Sequence, residues 1–517
     1  MATLPRKSTV PAFFLNKVIE QYSQRQSTPI SLKHMINFGN AGRNKGEKEE
    51  VDKLIKGGNF LRTELPTRLS HRLRDLQSLP FGVASHPRIE HVMELYLEAF
   101  DGIRKFPLIR DLDDNDRFCS FMQGTLDKHR VVIPELAIGV SETSPHQLPS
   151  AALDRIMLRM LRSRISRRVI TEQHIALTSQ FRERQRRGKG KGKERAQEDE
   201  NRVGVVDTKL NAADVVRKCA ALLKALGGPE GNVPVEIEGA TETTFAYLSE
   251  HLEFMLFELI KNAAYSTVSA HGPAAAAHHP ILVTIVHGPR NLTIRVSDQG
   301  GGIPPYGGLP PDPSDQTSFI NPLFPTSIDN VALGAQRLDI FSFSHMRRYY
   351  QHHAALAAGV ADFASIPPTS SLSPSSTSSS YASSPSSAPA SVLSSEPPSS
   401  PQSDHAAASA TLAASLPPYA TSTPDPLSSG INALRTVSAL TGTVAEQISS
   451  PSSPLTAQEN ELIDAQMRSG IGLPLAKLYA EYFTSTVEDV PGKLEIYTLQ
   501  GYGSDALLRI PKFGHAR

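Results

Sequence analysis

The sequence predicts an α+β fold, an N-terminal four-helix bundle followed by a C-terminal domain that mixes strands with helices. Three observations carry that expectation. Before residue 185, apolar residues recur at helical spacing in four long stretches. Beyond residue 205, stretches that alternate apolar and polar residues are interleaved with helical ones. Between them these regions hold the core-forming residues, because residues 365–460 are mostly Ser, Pro, Ala and Thr and cannot supply a packed interior.

The bundle is read from its apolar stripes. Leu65, Leu69, Leu73 and Leu76 form the first, which ends at Pro80. Ile89, Val92, Met93, Tyr96, Phe100 and Ile103 form the second, entered after Pro87. Phe118, Phe121, Met122 and Leu126 begin a third long helix that should reach about Val140. Leu153, Ile156, Met157, Met160, Leu161, Ile165 and Val169 form the fourth. Short connections between four such helices predict an antiparallel bundle. The run from Arg182 to Arg195 is basic and glycine-punctuated, which predicts a solvated loop.

The second half predicts helices over 212–226 and 247–270 and a short strand over 233–237. Strands over 281–286 and 292–296 should pair through Gly288-Pro289-Arg290-Asn291. After the Ser/Pro stretch, 473–483 reads as a helix, and 493–499 with 506–510 as a final hairpin around Gly501-Tyr502-Gly503.

Composition removes several function classes. With 53 Lys plus Arg and 52 Asp plus Glu, the formal charge of +1 gives no electrostatic reason to expect nucleic acid. Two cysteines, Cys119 and Cys219, cannot make a disulfide framework and read as core residues rather than metal ligands. No run of 18 apolar residues exists, so no membrane span is expected. Residues 1–19 carry Arg6, Lys7 and Lys17 and no acid, which suits a mitochondrial targeting segment or an ordinary frayed terminus equally.

Chemistry concentrates in three places. Glu258 and Asn262 stand one turn apart on the 247–270 helix and share a face, with Lys261 beside them. A carboxylate can take a proton there, and a carboxamide oxygen suits Mg²⁺. Asp298 ends a strand and is followed by Gln299-Gly300-Gly301-Gly302; a carboxylate can accept a hydrogen bond from an exocyclic amine, and glycines let backbone approach a ligand. Gly470-Ile471-Gly472-Leu473-Pro474 opens a helix, whose N–H groups and dipole favour phosphate.

In this order the pieces resemble the N-box (Glu258 to Asn262) and the two glycine boxes (Asp298 to Gly302, Gly470 to Pro474) of the ATP-binding superfamily of gyrase, heat-shock-90, histidine kinases and MutL. Gly503-Ser504-Asp505 resembles its closing Gly-Thr-Asp element. Leu61-Arg-Thr-Glu-Leu-Pro66, Ser163-Arg-Ile-Ser-Arg-Arg168, Gln173-His174 and Leu473 to Phe483 resemble the mitochondrial 2-oxoacid dehydrogenase kinases. Leu79-Pro-Phe81, His91 to Phe100 and Leu499-Gln-Gly501, with Phe254 where the pyruvate branch usually carries His and with no Trp in the chain, lean toward the branched-chain branch.

The resemblance implies a helical bundle plus a GHKL-type (Bergerat) α/β sandwich. It divides the chain into a candidate targeting segment at 1–30, the bundle at 31–185 and a basic loop at 186–204. The kinase domain would occupy 205–345 and 455–511, with a Ser/Pro-rich insert at 346–454 in the ATP lid. It implies a matrix protein-serine kinase that phosphorylates and inactivates the E1α subunit of a 2-oxoacid dehydrogenase complex, with the pyruvate complex the close second. Glu258 would be the base and Asn262 the Mg²⁺ holder. Glu258, Lys261, Asn262, Asp298, Gly300, Gly302, Ser344, Gly470, Ile471, Gly472, Leu473 and Ser504 would surround ATP. Mg²⁺ and K⁺ are the implied ions; E1α, an E2 lipoyl domain and a second copy of the chain are the implied partners. Two rivals stand beside this reading. One is a histidine kinase with His71 as phosphoacceptor; the other is a catalytically dead scaffold, in which Arg468 replaces a usual glycine of the second glycine box.

Overall fold

A computed structural model describes residues 12–40, 46–187, 201–225, 228–303, 341–344, 347, 471–483, 492–499 and 501–512. The fold is α+β, with helices dominating the first half. Helices α1 (Ala12–Ser23) and α2 (Leu32–Asn40) precede α3 (Glu47–Gln77), the short α4 (Phe81–Ala84), α5 (Pro87–Lys105), α6 (Leu112–Lys128), α7 (Val132–Ser141) and α8 (Ser150–Arg187).

The first, second and fourth stripes become α3, α5 and α8, with Leu65, Leu69, Leu73, Val92, Phe100, Met157 and Val169 all essentially buried. The third does not run unbroken. It is interrupted by a 3₁₀ turn at His129–Val131 and resumes as α7. Pro134 explains the break: it lacks an N–H and its ring would strike the carbonyl of Arg130 in a continuous helix. Every residue of α7 is buried.

The basic run also departs from expectation, because its first six residues are the last turns of α8. Within the run, the first glycine is Gly188. Arg182 is fastened to Asp116 by a 2.9 Å Nε–Oδ2 hydrogen bond, and Arg184 pairs with Glu50. Residues 188–200 lie outside the described residues, as does the Ser/Pro insert except for Arg347. In the segment reserved for targeting, residues 15–30 pack on the bundle. Ile19 is buried, Tyr22 meets Phe100 edge-on, and the Thr28 N–H donates to Glu64 at 2.8 Å. Among the described residues no helix is long and apolar enough to cross a membrane.

The second half contains β1 (Arg202–Val203), β2 (Val206–Asn211), α9 (Ala212–Ala225), β3 (Val235–Gly239), β4 (Thr244–Leu248) and α10 (Ser249–Ala275). After these come β5 (Ile281–His287), β6 (Asn291–Ser297), α11 (Gly472–Ala480), β7 (Lys493–Leu499) and β8 (Gly503–Pro511). Strands β1, β2 and β4 make a small sheet absent from the sequence expectation, and it claims Tyr247, which was assigned to the helix. The larger sheet has the order β3-β5-β6-β8-β7, antiparallel except where β3 meets β5. Alternate residues of β5 and β6 are buried against α9 and α10, giving a helical layer on a sheet.

The pairing of β6 with β8 positions the site. Its register sets Ser297 opposite Asp505, so the chain after β6 and the chain before β8, about 200 residues apart in sequence, meet at one sheet end.

Candidate active site

The site is built on α10. Glu258 is buried. Lys261, on the next turn, donates from Nζ to both of its oxygens, at 2.8 and 2.7 Å. Asn262 is half-buried on the same face. One turn further, Ser266 donates its hydroxyl to the Ala263 carbonyl at 3.0 Å and lies against Gly300 in the loop after β6.

That loop lies against the helix because its residues are glycine. A Cβ on Gly300 would come within 2.3 Å of Ser266 Oγ and 2.7 Å of its backbone carbon. Gly302 has φ near +77° and its Cβ would strike the Leu499 carbonyl at 2.5 Å, so a side chain is excluded twice over. The β7–β8 hairpin closes the loop from the other side. The Thr498 hydroxyl accepts from the Ile303 N–H at 2.7 Å, and Asp298 N donates to the Ser504 carbonyl at 2.9 Å.

Asp298 is the electrostatic centre of this loop. Burial pushes its carboxyl above the usual carboxylate range, while the N–H groups of Gly300 (2.8 Å) and Ser504 (3.3 Å) and the Ser266 hydroxyl act the other way.

The second glycine segment reaches the same place. Gly472 opens α11, and a Cβ there would lie 2.2 Å from Glu258 Oε2. Ile471 is buried and Leu473 half-buried beside it. Thus Glu258, Lys261 and Gly472 are in contact along α10, and Gly300, Gly302 and Ser504 surround Asp298 farther along. Gly470 and Arg468 lie outside the described residues.

Ser344 is placed elsewhere. Its N–H and the Phe343 N–H donate to Asp154 Oδ1 at 3.0 and 2.8 Å, fastening this segment to α8 of the bundle. Phe343 and Arg347 are buried there, and Arg347 donates to the Leu148 carbonyl at 2.7 Å.

His71 sits within α3 with Nε2 shared between the Ser23 and Arg25 carbonyls, at 3.0 and 2.9 Å. His174 is a core histidine bonded to Asn115 Oδ1 at 2.9 Å and held neutral, with burial lowering it to about 4. Cys119 and Cys219 are buried thiols, the first pushed up to about 11. Ser266 and Thr498 were missed by sequence reasoning. Ser266 had a signal, since it continues the one-turn spacing of Glu258 and Asn262; Thr498 had none, because its role depends on strand pairing.

Residues 29–207 match the family model described as mitochondrial branched-chain alpha-ketoacid dehydrogenase kinase. The chain is 28% identical over 303 residues to pyruvate dehydrogenase (acetyl-transferring) kinase 2, mitochondrial, of Saccharomyces cerevisiae, covering 55% of this chain and 57% of that protein. It is 29% identical over 297 residues to the mitochondrial pyruvate dehydrogenase (acetyl-transferring) kinase of Arabidopsis thaliana, covering 56% of this chain and 74% of that one. With isozyme 4 of Mus musculus it shares 27% over 318 residues, 59% of this chain and 70% of that protein. The family model carries the branched-chain description and the relatives the pyruvate one, so the branch stays open. These matches support the mitochondrial 2-oxoacid dehydrogenase kinase family, to which the chain is similar over residues 29–207 and over 55–59% of its length.

Proposed function

We propose that this chain is an ATP-dependent protein-serine kinase of the mitochondrial matrix that phosphorylates, and so inactivates, the E1α subunit of a 2-oxoacid dehydrogenase complex. The observation that carries the reading is the contact of Glu258 with Lys261 and Gly472, because it sets a carboxylate, an ammonium and a side-chain-free helix start at one point. The residues fit a nucleotide. The loop at 300–302 and the start of α11 have no room for Cβ atoms, so backbone lines the site, and Asp298 offers an acceptor to an adenine amine.

Glu258 takes the proton of the substrate serine as its oxygen attacks the γ-phosphorus and the bond to ADP breaks. Lys261 must release one carboxylate oxygen for this, and its ammonium then faces the phosphates. Asn262 would hold Mg²⁺, which when bound neutralises charge on the phosphate oxygens. Ile471, Gly472, Leu473 and Gly470 would border the phosphates, and Ser504 the loop under the adenine. K⁺ is implied by the family alone.

The helical half would dock the E2 lipoyl domain. An apolar cavity of about 490 Å³ lined by Met35, Phe38, Phe60, Leu61, Ile170 and Leu177 suits an alkyl-linked lipoyl arm. A homodimer would form through the second half, where, among the described residues, β7 ends the larger sheet and Leu499 is exposed.

The test is transfer of labelled phosphate from ATP and Mg²⁺ to purified branched-chain and pyruvate E1, each with its E2 lipoyl domain. Label on serine of one E1α establishes the class and the branch, with the branched-chain protein expected. Intact ATP binding without label on either E1α would refute the kinase reading in favour of a scaffold.

A further inference from the structure

The connection from α10 to β5 contains a paired-histidine feature that the reading above does not use. The helix proper ends at His271, because Gly272 turns the chain at φ 79°, ψ 161° and Pro273 follows. Eight residues after His271 the chain returns, and His279 stacks on His271 with ring centroids 3.7 Å apart and planes 13° from parallel. Both rings act on one residue. His271 Nε2–H donates to the Gln299 backbone carbonyl at 2.8 Å, and His279 Nδ1–H donates to Gln299 Oε1 at 2.8 Å. Gln299 stands between Asp298 and Gly300.

We infer that His271 and His279 are positioning residues that hold Gln299 and thereby fix the Asp298 carboxylate for reading adenine. The inference rests on the nucleotide reading of the site. The reason is mechanical. Asp298 is held on one side by the N–H groups of Gly300 and Ser504, and Gly301 and Gly302 both take positive φ. A loop with three successive glycines is intrinsically permissive, and only its flanking contacts define it. On the helix side those contacts are Ser266, Ala270 at 4.0 Å from the Cβ position of Gly301, and the two histidines. Gripping Gln299 by both its backbone and its side chain removes its freedom to rotate, and Asp298 is bonded directly to it. The stack makes the grip rigid, since each ring limits the other's rotation. A metal-binding role does not suit the same pair: nearly parallel rings 3.7 Å apart share no point that lies in both ring planes, as a bound ion requires.

The experiment measures MgATP and MgGTP binding to the full chain by calorimetry, since guanine lacks the amine that Asp298 would read. His271→Leu and His279→Ala are each expected to weaken MgATP about tenfold, the order of one lost hydrogen bond, while MgGTP changes less than about twofold. His271→Gln places an amide N–H near the lost Nε2–H and should stay within about threefold of the unsubstituted chain. A merely structural role would lower both nucleotides together, and that result overturns the proposal. So does equal weakening by His271→Leu and His271→Gln, or MgATP binding indifferent to both histidines. If His271→Leu does not fold, the MgATP-to-MgGTP ratio of His279→Ala and His271→Gln decides on the same terms. Failure of the unsubstituted chain to bind MgATP would overturn the nucleotide reading itself, and this proposal with it.

Discussion

Replacing Gly472 by Ala tests whether the close contact between Gly472 and Glu258 matters to turnover. The new Cβ would sit 2.2 Å from Glu258 Oε2, and 3.0 Å from its carboxyl carbon. Ordinary contact begins near 3.4 Å, so more than an ångström must be found. Glu258 cannot easily supply it, being buried and bonded through both oxygens to Lys261. Whichever side yields, Glu258 and the start of α11 move apart by about 1 Å. A displacement of that size at a reacting group costs on the order of 10²-fold in turnover. One extra methyl in a packed contact costs about 1–3 kcal/mol of stability, so the protein should still fold. The assay measures kcat and KM for MgATP with E1α as acceptor, alongside the unfolding midpoint. The expected result is kcat lower by about 10²-fold in a protein that remains folded. Turnover within about threefold of normal would refute the close contact between Gly472 and a working Glu258.

Three further outcomes are expected. Glu258→Gln keeps the shape and removes the proposed base, so transfer should fall by about 10²–10⁴-fold with MgATP affinity nearly unchanged; near-normal turnover would remove Glu258 from the role. Stability should drop with acid. Burial holds His129 and His251 down to about 3 and His174 to about 4, so each stays neutral when folded and takes a proton when unfolded. Their contribution is complete above the unfolded value near 6.5, and each has lost about 2 kcal/mol by pH 5. Urea midpoints at pH 7.5 and 5 should show this. His251→Phe, set among Tyr479, Tyr482 and Phe483, should flatten the slope by about one such step; an unchanged slope would refute the assignment. Deleting residues 365–450, which lack core-forming composition, should move the unfolding midpoint by less than roughly 2 °C and leave basal transfer intact, and an unfolded product would contradict that.

Legibility followed the length and regularity of the signal. The long stripes of α3, α5 and α8 bury one face each and could be read directly. The break before α7 was written in Pro134 and overlooked, because the apolar residues on both sides kept helical spacing. The extension of α8 through Arg187 depends on Asp116 and Glu50, distant in sequence, and local charge alone could not show it. The sheet of β1, β2 and β4 was invisible because β1 is two residues long and the register of β2 shifts between Asp207 and Leu210. At the site, residue types and order pointed to the glycine loops, but Ser504 reaches Asp298 only through the β6–β8 pairing.

Helix α11 shows why the two halves of the chain are not independent. Its first residue, Gly472, lies on Glu258. At its far end, Tyr479 meets His251 with ring centroids 4.5 Å apart, and the aromatic cluster continues through Tyr482 and Phe483. That end faces the bundle. Ser166 of α8 acts electrostatically on Tyr482, and Arg164 and Arg168 of the same helix on Tyr479. A nine-residue helix is about 13 Å long and behaves as a short rigid rod. A shift of α8 along this contact therefore cannot be absorbed within α11; it must move either the aromatic cluster or the Gly472–Glu258 contact. The aromatic end is the more constrained, because His251 and Tyr479 are buried against one another and Tyr482 is half-buried beside them. The glycine end, lacking a side chain, is where the geometry can give. The packing that joins the bundle to the second half thus bears directly on the spacing between the carboxylate and the helix start that would face ATP.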